Sequence, residues 1–560
     1  MAKISVIDYL IQRLHEVGIT DIFGVPGDYN LSFLDDVEKS DLVNWVGDCN
    51  ELNAAYAADG YARKRGVSAM ITTFDVGELS AINGIAGSYA EHLPVIEITG
   101  APTTKVQQNE MLMHHTDATG NFEHSLNAYK EFTVAQASLG FENAGREIDR
   151  VISTAIIKRR PGYISLPLDV AHSMIEAPKD KLVVTVENTE RTHRVADRLH
   201  DSLKKAKRPV ILAGNEITTF RAKASFENFI NKTHLPVATM LLGKSSINED
   251  NPYFIGTYYP KYGDQKVLDY VNNSDLIIVL GSKLIDVNTG SFTQCFNEEN
   301  TVVLNSDGIN FFGNKNRGVN INNLLDNLND LDYQYDFDST GLNNVDNTVL
   351  YKDNDDAELN LSQYQYAFTK FIRPNDTVYT ETGTSQYGLS FMTLPHRVDY
   401  EAQPLWGSIG YTLPAVLGSQ IADPDGRHVL SIGDGSSQMT IQELSLIKRH
   451  NLKPIIFLID NDGYTIEKVI HGPHAQYNEI ARWDYEKIPA ALGIDEDTMD
   501  INVVHTKEEL LTTMDKIADD RSKAHFVIVK TKPLDAPDLV KNIGGSMSQI
   551  DKSHFYNDNI

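Results

Sequence analysis

The stretch from His428 to Glu467 constrains the fold more than any other part of the chain. An apolar, β-branched run at 429–432 ends in the glycine-rich turn 433–435, and a helical pattern follows it. A second apolar run at 454–460 then ends in the Asn-Asp-Gly turn at 461–463. This order predicts a βαβ unit, in which both turns open at the same edge of one parallel sheet.

The connecting helix has a candidate start signal. Thr440 and Glu443 are three residues apart, which is the spacing of a capping box. The sequence therefore predicts that the helix begins at Thr440.

Oxygen ligands follow both predicted strands. Asp434 offers a carboxylate, Asn461 offers an amide oxygen, and we expect a free backbone carbonyl near Gly463. The carboxyl ends of neighbouring parallel strands are where open α/β sheets bind ligands, and oxygen ligands suit Mg²⁺ or Ca²⁺. The simpler interpretation is that Asp-Gly and Asn-Asp-Gly are ordinary turn residues, but their pairing favours a site.

Longer motifs carry a resemblance to a known family. GDGS at 433–436 followed by NDGYT at 461–465 resembles the metal and diphosphate motif of enzymes that use thiamine diphosphate (thiamine pyrophosphate). QPLWGSIGYTLPAVLGSQ at 403–420 and NDGYTIEKVIHGP at 461–473 are similar to pyruvate, indolepyruvate and branched-chain 2-keto acid decarboxylases. The resemblance implies an α/β chain of three doubly wound open-sheet domains, which are pyrimidine-binding, central and diphosphate-binding.

The same resemblance implies the ligand contacts. Mg²⁺ would be bound by Asp434, Asn461 and the carbonyl of Gly463, and Ile409 would wedge the cofactor into its bent conformation. The residues implied in cofactor binding are Glu51, Gly407, Ile409, Gly435, Ser436, Asn461, Gly463, Tyr464 and Thr465.

The domain bounds follow from composition. Strand-like and helical segments alternate over 1–180, again over 190–335 and again over 361–550, which predicts three α/β domains. A polar linker at 177–194 and an Asn- and Asp-rich, partly disordered connection at 330–360 separate them. A polar tail, DKSHFYNDNI, ends the chain.

Charge excludes some partners. Fifty basic against 77 acidic residues give a formal net charge of −27, which opposes nucleic acids and anionic membranes. The first 18 residues predict an amphipathic helix, and no apolar run is long enough to span a membrane. We expect a soluble, cytoplasmic protein whose two cysteines, Cys49 and Cys295, are free and buried.

Two acidic residues in the first domain have competing interpretations. Asp28 follows a predicted strand, where a turn or cap residue is common. Glu51 lies at the start of an Ala-rich helix, where the helix dipole favours a carboxylate. The resemblance implies instead that Glu51, within NELNA, activates the cofactor by bonding a nitrogen of its pyrimidine ring, and that Asp28 is catalytic.

His114 and His115 are adjacent. Adjacent side chains on a helix or strand point apart, so we do not expect both to bind one metal ion. In a loop beside a cleft they could donate protons near neutral pH, although taken alone they are more simply explained as polar side chains at the protein surface. The resembled family has this HHT pattern in its active site. It also implies that Glu467, which could cap a helix, lies beside the substrate.

Asp75 departs from the resembled family, which usually has a small residue there. Its carboxylate could perturb Glu51 by like-charge repulsion, or it could cap the helix that starts near Gly77. The sequence leaves both open.

The resemblance implies decarboxylation of a small-molecule substrate, a 2-keto acid, to an aldehyde and CO₂ by a homo-oligomer, a dimer of dimers, whose sites combine residues of two subunits. The pocket candidates are Val287, Thr382, Gln386, Ile466, Ile543 and Met547, and they favour a branched-chain, longer aliphatic or aromatic 2-keto acid over pyruvate alone. Alternatives are a carboligase of the acetolactate synthase type and a non-catalytic cofactor-binding scaffold.

Overall fold

The computed structural model describes residues 2–340, 342, 353–354 and 356–554, without the side chains of 546 and 549–554. Two compact units group these residues. Unit 1 contains the segments up to 186, 413–425 and 440–452, and unit 2 contains the rest. The predicted domain bounds, 1–180, 190–335 and 361–550, stay predictions.

Unit 1 is built on a parallel six-stranded sheet. The strands of unit 1 as a whole are β1 (Lys3–Ser5), β2 (Asp21–Gly24), β3 (Asn44–Gly47), β4 (Ser68–Thr73), β5 (Val95–Ala101), β6 (Ala135–Ser138), β7 (Gly162–Pro167) and β8 (Met174–Glu176). Its helices before residue 186 are α1 (Val6–Glu16), α2 (Leu31–Lys39), α3 (Glu51–Arg65), α4 (Val76–Ala90), α5 (Thr104–Gln108), α6 (His124–Tyr129), α7 (Ala144–Lys158) and α8 (Leu168–Ala171). The sheet order is β3-β2-β4-β5-β7-β6, and β1 pairs with β8 in a separate antiparallel ribbon.

Small residues let α3 pack closely against its neighbours in unit 1. A Cβ added to Gly60 would lie 1.9 Å from the carbonyl oxygen of Ala415, and one added to Gly418 would lie 2.0 Å from that of Ala57. A Cβ on Gly84 of α4 would lie 2.5 Å from Ala55. The Ala-rich sequence of α3 is therefore explained by close approach on several sides.

The first sheet of unit 2 mixes parallel and antiparallel pairing. Its strands are β9 (Pro209–Ala213), β10 (Val237–Thr239), β11 (Phe254–Thr257), β12 (Leu276–Leu280), β13 (Thr301–Leu304), β14 (Gly308–Phe311) and β15 (Asn314–Arg317). The accompanying helices are α9 (Glu190–Leu203), α10 (Glu216–Thr219), α11 (Lys223–Thr233), α12 (Gln265–Asn272), α13 (Asp286–Thr289) and α14 (Ile321–Asn329), with a 3₁₀ turn at Leu241–Gly243. The order is β11-β10-β9-β12-β13-β14-β15, and the polar, exposed β15 protects one edge.

The second sheet of unit 2 contains the βαβ unit. Its strands are β16 (Thr377–Thr380), β17 (Asp399–Glu401), β18 (His428–Gly433), β19 (Ile455–Asp460), β20 (Met499–Val504) and β21 (Ala524–Lys530). The helices from residue 361 onward are α15 (Leu361–Phe371), α16 (Thr384–Leu389), α17 (Thr412–Ala422), α18 (Asp434–Thr440), α19 (Ser445–Arg449), α20 (Thr465–Ile470), α21 (Ile488–Ala491), α22 (Lys507–Ile517) and α23 (Asp538–His554), with 3₁₀ turns at Ile441–Leu444 and Gln476–Asn478. All pairings in the order β17-β16-β18-β19-β21-β20 are parallel.

These sheets confirm the α/β prediction. β18 and β19 are parallel neighbours, with Gly433 opposite Ile459, and the residues between them form α18, a 3₁₀ turn and α19. The expected βαβ unit is therefore present, and its two turns follow adjacent strand ends.

The capping box predicted at Thr440 is wrong. The helix already begins at Asp434, directly after β18, and Thr440 makes no side-chain cap bond. Glu443 has another partner, since its Oε2 accepts a hydrogen bond from Asn53 Nδ2 within unit 1. A tertiary contact has overridden the local pattern.

Smaller predictions had mixed outcomes. The first helix forms as expected, at Val6–Glu16, but both cysteines are exposed where buried thiols were expected. Cys49 lies in the turn before α3, and Cys295 lies outside helices and strands, so neither belongs to a packed core. Of the connection at 330–360, residues 341, 343–352 and 355 lie outside the described residues, as do 555–560 of the tail. No described helix is long and apolar enough to cross a membrane.

Candidate active site

The Asp434 carboxylate lies at the carboxyl end of β18 and is 1% exposed. Its Oδ1 accepts from the N–H of Gly435 at 2.7 Å. Its Oδ2 accepts from the N–H groups of Asn461 at 3.1 Å and Gly463 at 3.3 Å, across the strand boundary. One carboxylate therefore joins the two turns that the sequence singled out.

Burial raises the pKa of Asp434 to about 7, and the three N–H groups only partly oppose that shift. A cation bound beside Asp434 would favour its ionised form. The sequence analysis expected a free carbonyl at Gly463, and this is wrong in detail. The Gly463 carbonyl oxygen accepts a hydrogen bond from the N–H of Thr465 at 2.9 Å. A carbonyl oxygen has a second lone pair, so one acceptor position remains.

The donor set fits a divalent cation with a diphosphate. Residues from 381–385, 433–436 and 461–466 line one small cavity, which brings Asp434, Asn461 and Thr465 together. Thr465 Oγ1 is buried and has no hydrogen-bond partner among the described residues, as a ligand contact would require. Carboxylate, amide and carbonyl oxygens are ligands that suit Mg²⁺.

Two glycines shape this edge. A Cβ added to Gly435 would lie 2.5 Å from the ring of Tyr464, so only glycine fits there. Gly463 has φ of 136°, a conformation that side chains rarely adopt. Ser436 and Thr382 line the same cavity.

Glu381 was missed by the sequence analysis. It is 1% exposed, follows β16, and accepts from the N–H of Thr382 at 3.0 Å. Its other oxygen accepts from Thr412 Oγ1 at 2.6 Å and from the N–H of Thr412 at 3.2 Å. Burial raises the pKa of Glu381 to about 7 against the effect of these bonds, to which the N–H of Gly410 also contributes. Glu381 thus anchors the turn that follows Ile409.

Replacement of Glu381 by glutamine is expected to lower the free energy of unfolding by about 1–3 kcal/mol, because an amide NH₂ would face buried N–H donors. Affinity for the thiamine diphosphate that the sequence resemblance implies should also fall, since the Ile409 turn would shift. Cofactor titration and denaturant unfolding measure both quantities. Glu508→Gln, at an exposed position of α22, is the matched control, and equal behaviour of the two variants would contradict the anchoring role.

In unit 1, Asp28, His114 and His115 form a cluster. His114 Nε2 lies 2.5 Å from Asp28 Oδ2, and His115 Nε2 lies 3.6 Å from Asp28 Oδ1. Burial alone would raise the pKa of Asp28, but the His114 hydrogen bond and the His115 charge outweigh it and lower that pKa. Tyr29 OH lies 3.3 Å from His114 Nδ1.

The two histidines lie in a loop, so the expectation that adjacent side chains on a helix or strand point apart does not apply to them. His115 has a left-handed backbone, with φ of 64°, in a loop that is neither helix nor strand. The two imidazole centroids are consequently 4.6 Å apart, and both rings face Asp28.

Glu51 is the first residue of α3, but the side chain that caps this helix belongs to Asn50, which accepts from the N–H of Asn53. Glu51 Oε1 packs against Gly77, where an added Cβ would lie 3.3 Å away. The start of α4 therefore leaves room for the Glu51 carboxylate, and N-capping does not account for it.

Asp75 occupies the N-cap position of α4, which begins at Val76, and has φ of 50°. Its backbone N–H donates to Glu78 Oε1 at 2.8 Å, and its Oδ1 accepts from Ser125 Oγ at 2.5 Å. Burial raises the pKa of Asp75, while the Ser125 bond and the charges of His124 and His115 oppose this. Asp75 thus joins the start of α4 to the segment that follows the histidine loop.

The remaining predicted residues lie in unit 2. Glu467 is exposed in the first turn of α20. Burial raises the pKa of Tyr387, and the charge of Glu467 adds to this shift. Ile466, Val287, Ile543 and Met547 belong to one apolar cluster. Gln386 Nε2 donates to Ser390 Oγ, and its buried Oε1 meets no partner in the described part of the chain.

The predicted residues are therefore grouped in part. Thr382, Gly435, Ser436, Asn461, Gly463, Tyr464, Thr465 and Ile466 line the same cavity as Asp434. The lining, over the described residues, does not include Gly407, Ile409, Glu467 or Gln386. Glu51, Asp28, His114 and His115 belong to unit 1.

Comparison with known proteins agrees with this geometry. Three models of the thiamine pyrophosphate enzyme family match the chain: the N-terminal TPP-binding domain at 4–121, the central domain at 196–325 and the C-terminal TPP-binding domain at 381–530. Pyruvate decarboxylase isozyme 3 of Saccharomyces cerevisiae is 38% identical over 97% of this chain and 98% of its own length. An alpha-keto-acid decarboxylase of Mycobacterium ulcerans is 36% identical over 97% and 96%, respectively.

Proposed function

Because the chain belongs to the thiamine pyrophosphate enzymes and decarboxylates 2-keto acids with that cofactor, we propose that the Asp28, His114 and His115 cluster supplies the proton that completes an aldehyde product. The observation that carries this proposal is the convergence of both imidazoles on one carboxylate. The enzyme acts on a small-molecule 2-keto acid.

The cofactor, when bound, stabilises the negative charge left behind as CO₂ departs. In our proposal Asp434, Asn461 and the Gly463 carbonyl bind Mg²⁺, and Ser436, Tyr464 and Thr465 contact the diphosphate beside Gly435, whose N–H is bonded to Asp434. Ile409 and Gly407 orient the cofactor from the turn anchored by Glu381. The domains 1–180, 190–335 and 361–550 would be its pyrimidine-binding, central and diphosphate-binding domains.

The remaining roles concern protons. Glu51 would hold a proton at the pyrimidine ring nitrogen, in the space that Gly77 leaves. His114 Nε2, oriented by Tyr29 and bonded to Asp28, would deliver a proton to the product carbon. Glu467 would lie beside the carboxylate of the substrate. General acid–base groups of this kind typically contribute 10²–10⁴ in rate.

A homo-oligomer, a dimer of dimers, is part of the proposal. Val76 and Leu79, in the first turn of α4 next to Gly77, are 53% and 45% exposed. Apolar side chains exposed beside Glu51 suit contact with a second copy, whose diphosphate-binding residues would complete the site. Light scattering of the purified enzyme measures the mass. A location in the cytoplasm is likewise proposed, since neither cysteine is paired in the part of the chain described.

For the substrate, we expect higher kcat/KM with branched-chain, longer aliphatic or aromatic 2-keto acids than with pyruvate. Val287, Ile466, Ile543 and Met547 belong to one apolar cluster, and Gln386 bonds Ser390 at the end of its own helix. One methylene in such a pocket is worth about 1–3 kcal/mol. A coupled aldehyde assay should compare pyruvate, 2-ketoisovalerate, a long straight-chain 2-keto acid and phenylpyruvate. A strong preference for pyruvate would reject this proposal.

Carboligation is the second candidate within the same chemistry. It needs an acceptor keto acid at the position where the cluster would donate a proton. We expect aldehyde to exceed acyloin product in the wild-type enzyme, and the His114→Gln variant to shift that ratio toward acyloin. Acyloin as the main wild-type product would favour the carboligase.

A further inference from the structure

Asp28, His114 and His115 have the composition of a transition-metal site as well as of a proton-transfer site. One ligand atom from each residue lies within 4.8 Å of the other two. Two imidazole nitrogens with one carboxylate are ligands that zinc commonly binds. The Asp434 site, by contrast, offers only oxygen atoms, which suit Mg²⁺.

The geometry is close to what zinc needs. Four ligands at about 2.0–2.2 Å around a tetrahedral ion are separated from one another by about 3.3–3.6 Å. His115 Nε2 is 3.6 Å from Asp28 Oδ1, but His114 Nε2 is 2.5 Å from Oδ2, so His114 and Asp28 must separate for both to bind one ion. The left-handed backbone conformation of His115 brings its imidazole ring and that of His114 together at Asp28, and no helix or strand has to move for this.

The surroundings also favour a ligating orientation. Tyr29 OH lies 3.3 Å from His114 Nδ1, and its ring stacks on the His114 ring at 5.3 Å. Metal-binding histidines usually have the second ring nitrogen bonded to an oxygen, which orients the ring. The side chains of His114 and Asp28 are 59% and 49% exposed, so an ion can reach them from solvent.

We propose that Asp28 Oδ, His114 Nε2 and His115 Nε2 bind one Zn²⁺ ion per chain, with water as the fourth ligand, and that this zinc inhibits the Mg²⁺-loaded enzyme. On binding, the proton shared by His114 Nε2 and Asp28 Oδ2 leaves to solvent, and both atoms then donate a lone pair to zinc. The cluster can no longer deliver a proton. The zinc site itself does not depend on the proposed function, but the inhibition does.

The first test measures binding without reference to turnover. Holoenzyme saturated with thiamine diphosphate and millimolar Mg²⁺ is titrated with Zn²⁺ against a chromophoric zinc chelator. We expect one ion per chain with a dissociation constant in the micromolar range. His114→Gln and His115→Gln should each weaken zinc binding at least tenfold. Co²⁺ in place of Zn²⁺ should give the visible absorption spectrum of a cobalt ion with few ligands, and each substitution should abolish that spectrum.

The matched control is His172→Gln. His172 is also exposed and lies 3.5 Å from the carboxylate of Asp36. Among the described residues, no third metal-binding side chain joins this pair in a cluster. We expect zinc binding to be unchanged in this variant. Unchanged far-ultraviolet circular dichroism would confirm that the His114 and His115 variants are folded, and Asp28→Asn provides a third, independent change.

Several results would overturn the zinc site. The first is equal zinc affinity in the wild-type enzyme and both histidine variants, and the second is release of bound zinc as the Mg²⁺ concentration is raised. The third is a change in the number of zinc ions bound per chain when the cysteines are chemically modified. Inhibition is read separately, as aldehyde formation against Zn²⁺ concentration at fixed Mg²⁺. Zinc bound here with full activity retained would instead contradict the proton-transfer role proposed for the cluster.

Discussion

Replacement of Glu51 by glutamine is expected to lower turnover by about 10²–10⁴-fold, with little change in fold. Glutamine has the same shape, so its packing against Gly77 at the start of α4 should persist. It lacks the carboxylate that would hold a proton on the pyrimidine ring. Steady-state kinetics at saturating cofactor and Mg²⁺ measures the loss.

The matched control is Glu190→Gln. Glu190 is the first residue of α9, as Glu51 is of α3, and each follows a capping side chain, from Thr189 and Asn50 respectively. Loss of a favourable helix-dipole interaction would cost both variants about 0.3–1 kcal/mol in stability. Only Glu51→Gln should lose turnover. A Glu51→Gln enzyme with near wild-type activity would contradict the assignment.

The parallel sheets could be predicted because their strands are buried on both faces. β4, β5, β7, β18 and β19 are almost entirely buried, and such strands read as continuous apolar runs closed by glycine, proline or aspartate. The strands β1, β8 and β15 were not predicted. β1, β8 and β15 have little apolar sequence, so their existence depends on pairing partners distant in the chain.

The site could be predicted where the backbone determines it. Asp434 and Asn461 follow adjacent strands of one sheet, so a βαβ reading alone places them together. The Asp28, His114 and His115 cluster depends on the left-handed conformation of His115, which only a few per cent of non-glycine residues adopt even though histidine is enriched among them. No local sequence pattern identified Glu381 as a site residue, because its hydrogen-bond partners at Gly410 and Thr412 are about thirty residues away in the sequence.

Local rules failed where a tertiary contact offered a better partner. Thr440 and Glu443 had the spacing of a capping box, but Glu443 bonds Asn53 Nδ2 and the N–H of Cys49, both nearly 400 residues earlier in the chain. Burial raises the pKa of Glu443 to about 7 in spite of these bonds. Burial of a carboxylate is costly in free energy unless it is hydrogen-bonded. Glu443 is therefore bonded to donors that are near it in the folded chain although they are distant in the sequence.

Replacement of Asp434 by asparagine is expected to weaken binding of Mg²⁺ and thiamine diphosphate at least about 100-fold and to abolish turnover at ordinary cofactor concentration. Asparagine offers one oxygen and no charge, and its NH₂ would face the N–H groups of Asn461 and Gly463. Asp462→Asn, at a half-buried position paired with Arg482, is the control. Fluorescence titration with cofactor at fixed Mg²⁺ measures both affinities, and equal affinity in Asp434→Asn and wild type would contradict the metal assignment.

The same residue predicts how pH affects the stability of the cofactor-free enzyme. Asp434 has a pKa of about 7 in the folded chain and an ordinary value near 3.8 when unfolded, so between these values the folded state binds more protons. Its contribution to stability is complete below pH 4 and is lost as pH rises through 7, by about 4 kcal/mol at most. Mg²⁺ with cofactor should remove this loss, because the cation favours the ionised carboxylate. Denaturant unfolding at pH 5.5 and 8, with and without both ligands, measures the effect. Asp434→Asn should lose less stability than wild type over this interval, and an equal pH dependence in the two proteins would show that Asp434 ionises normally in the fold.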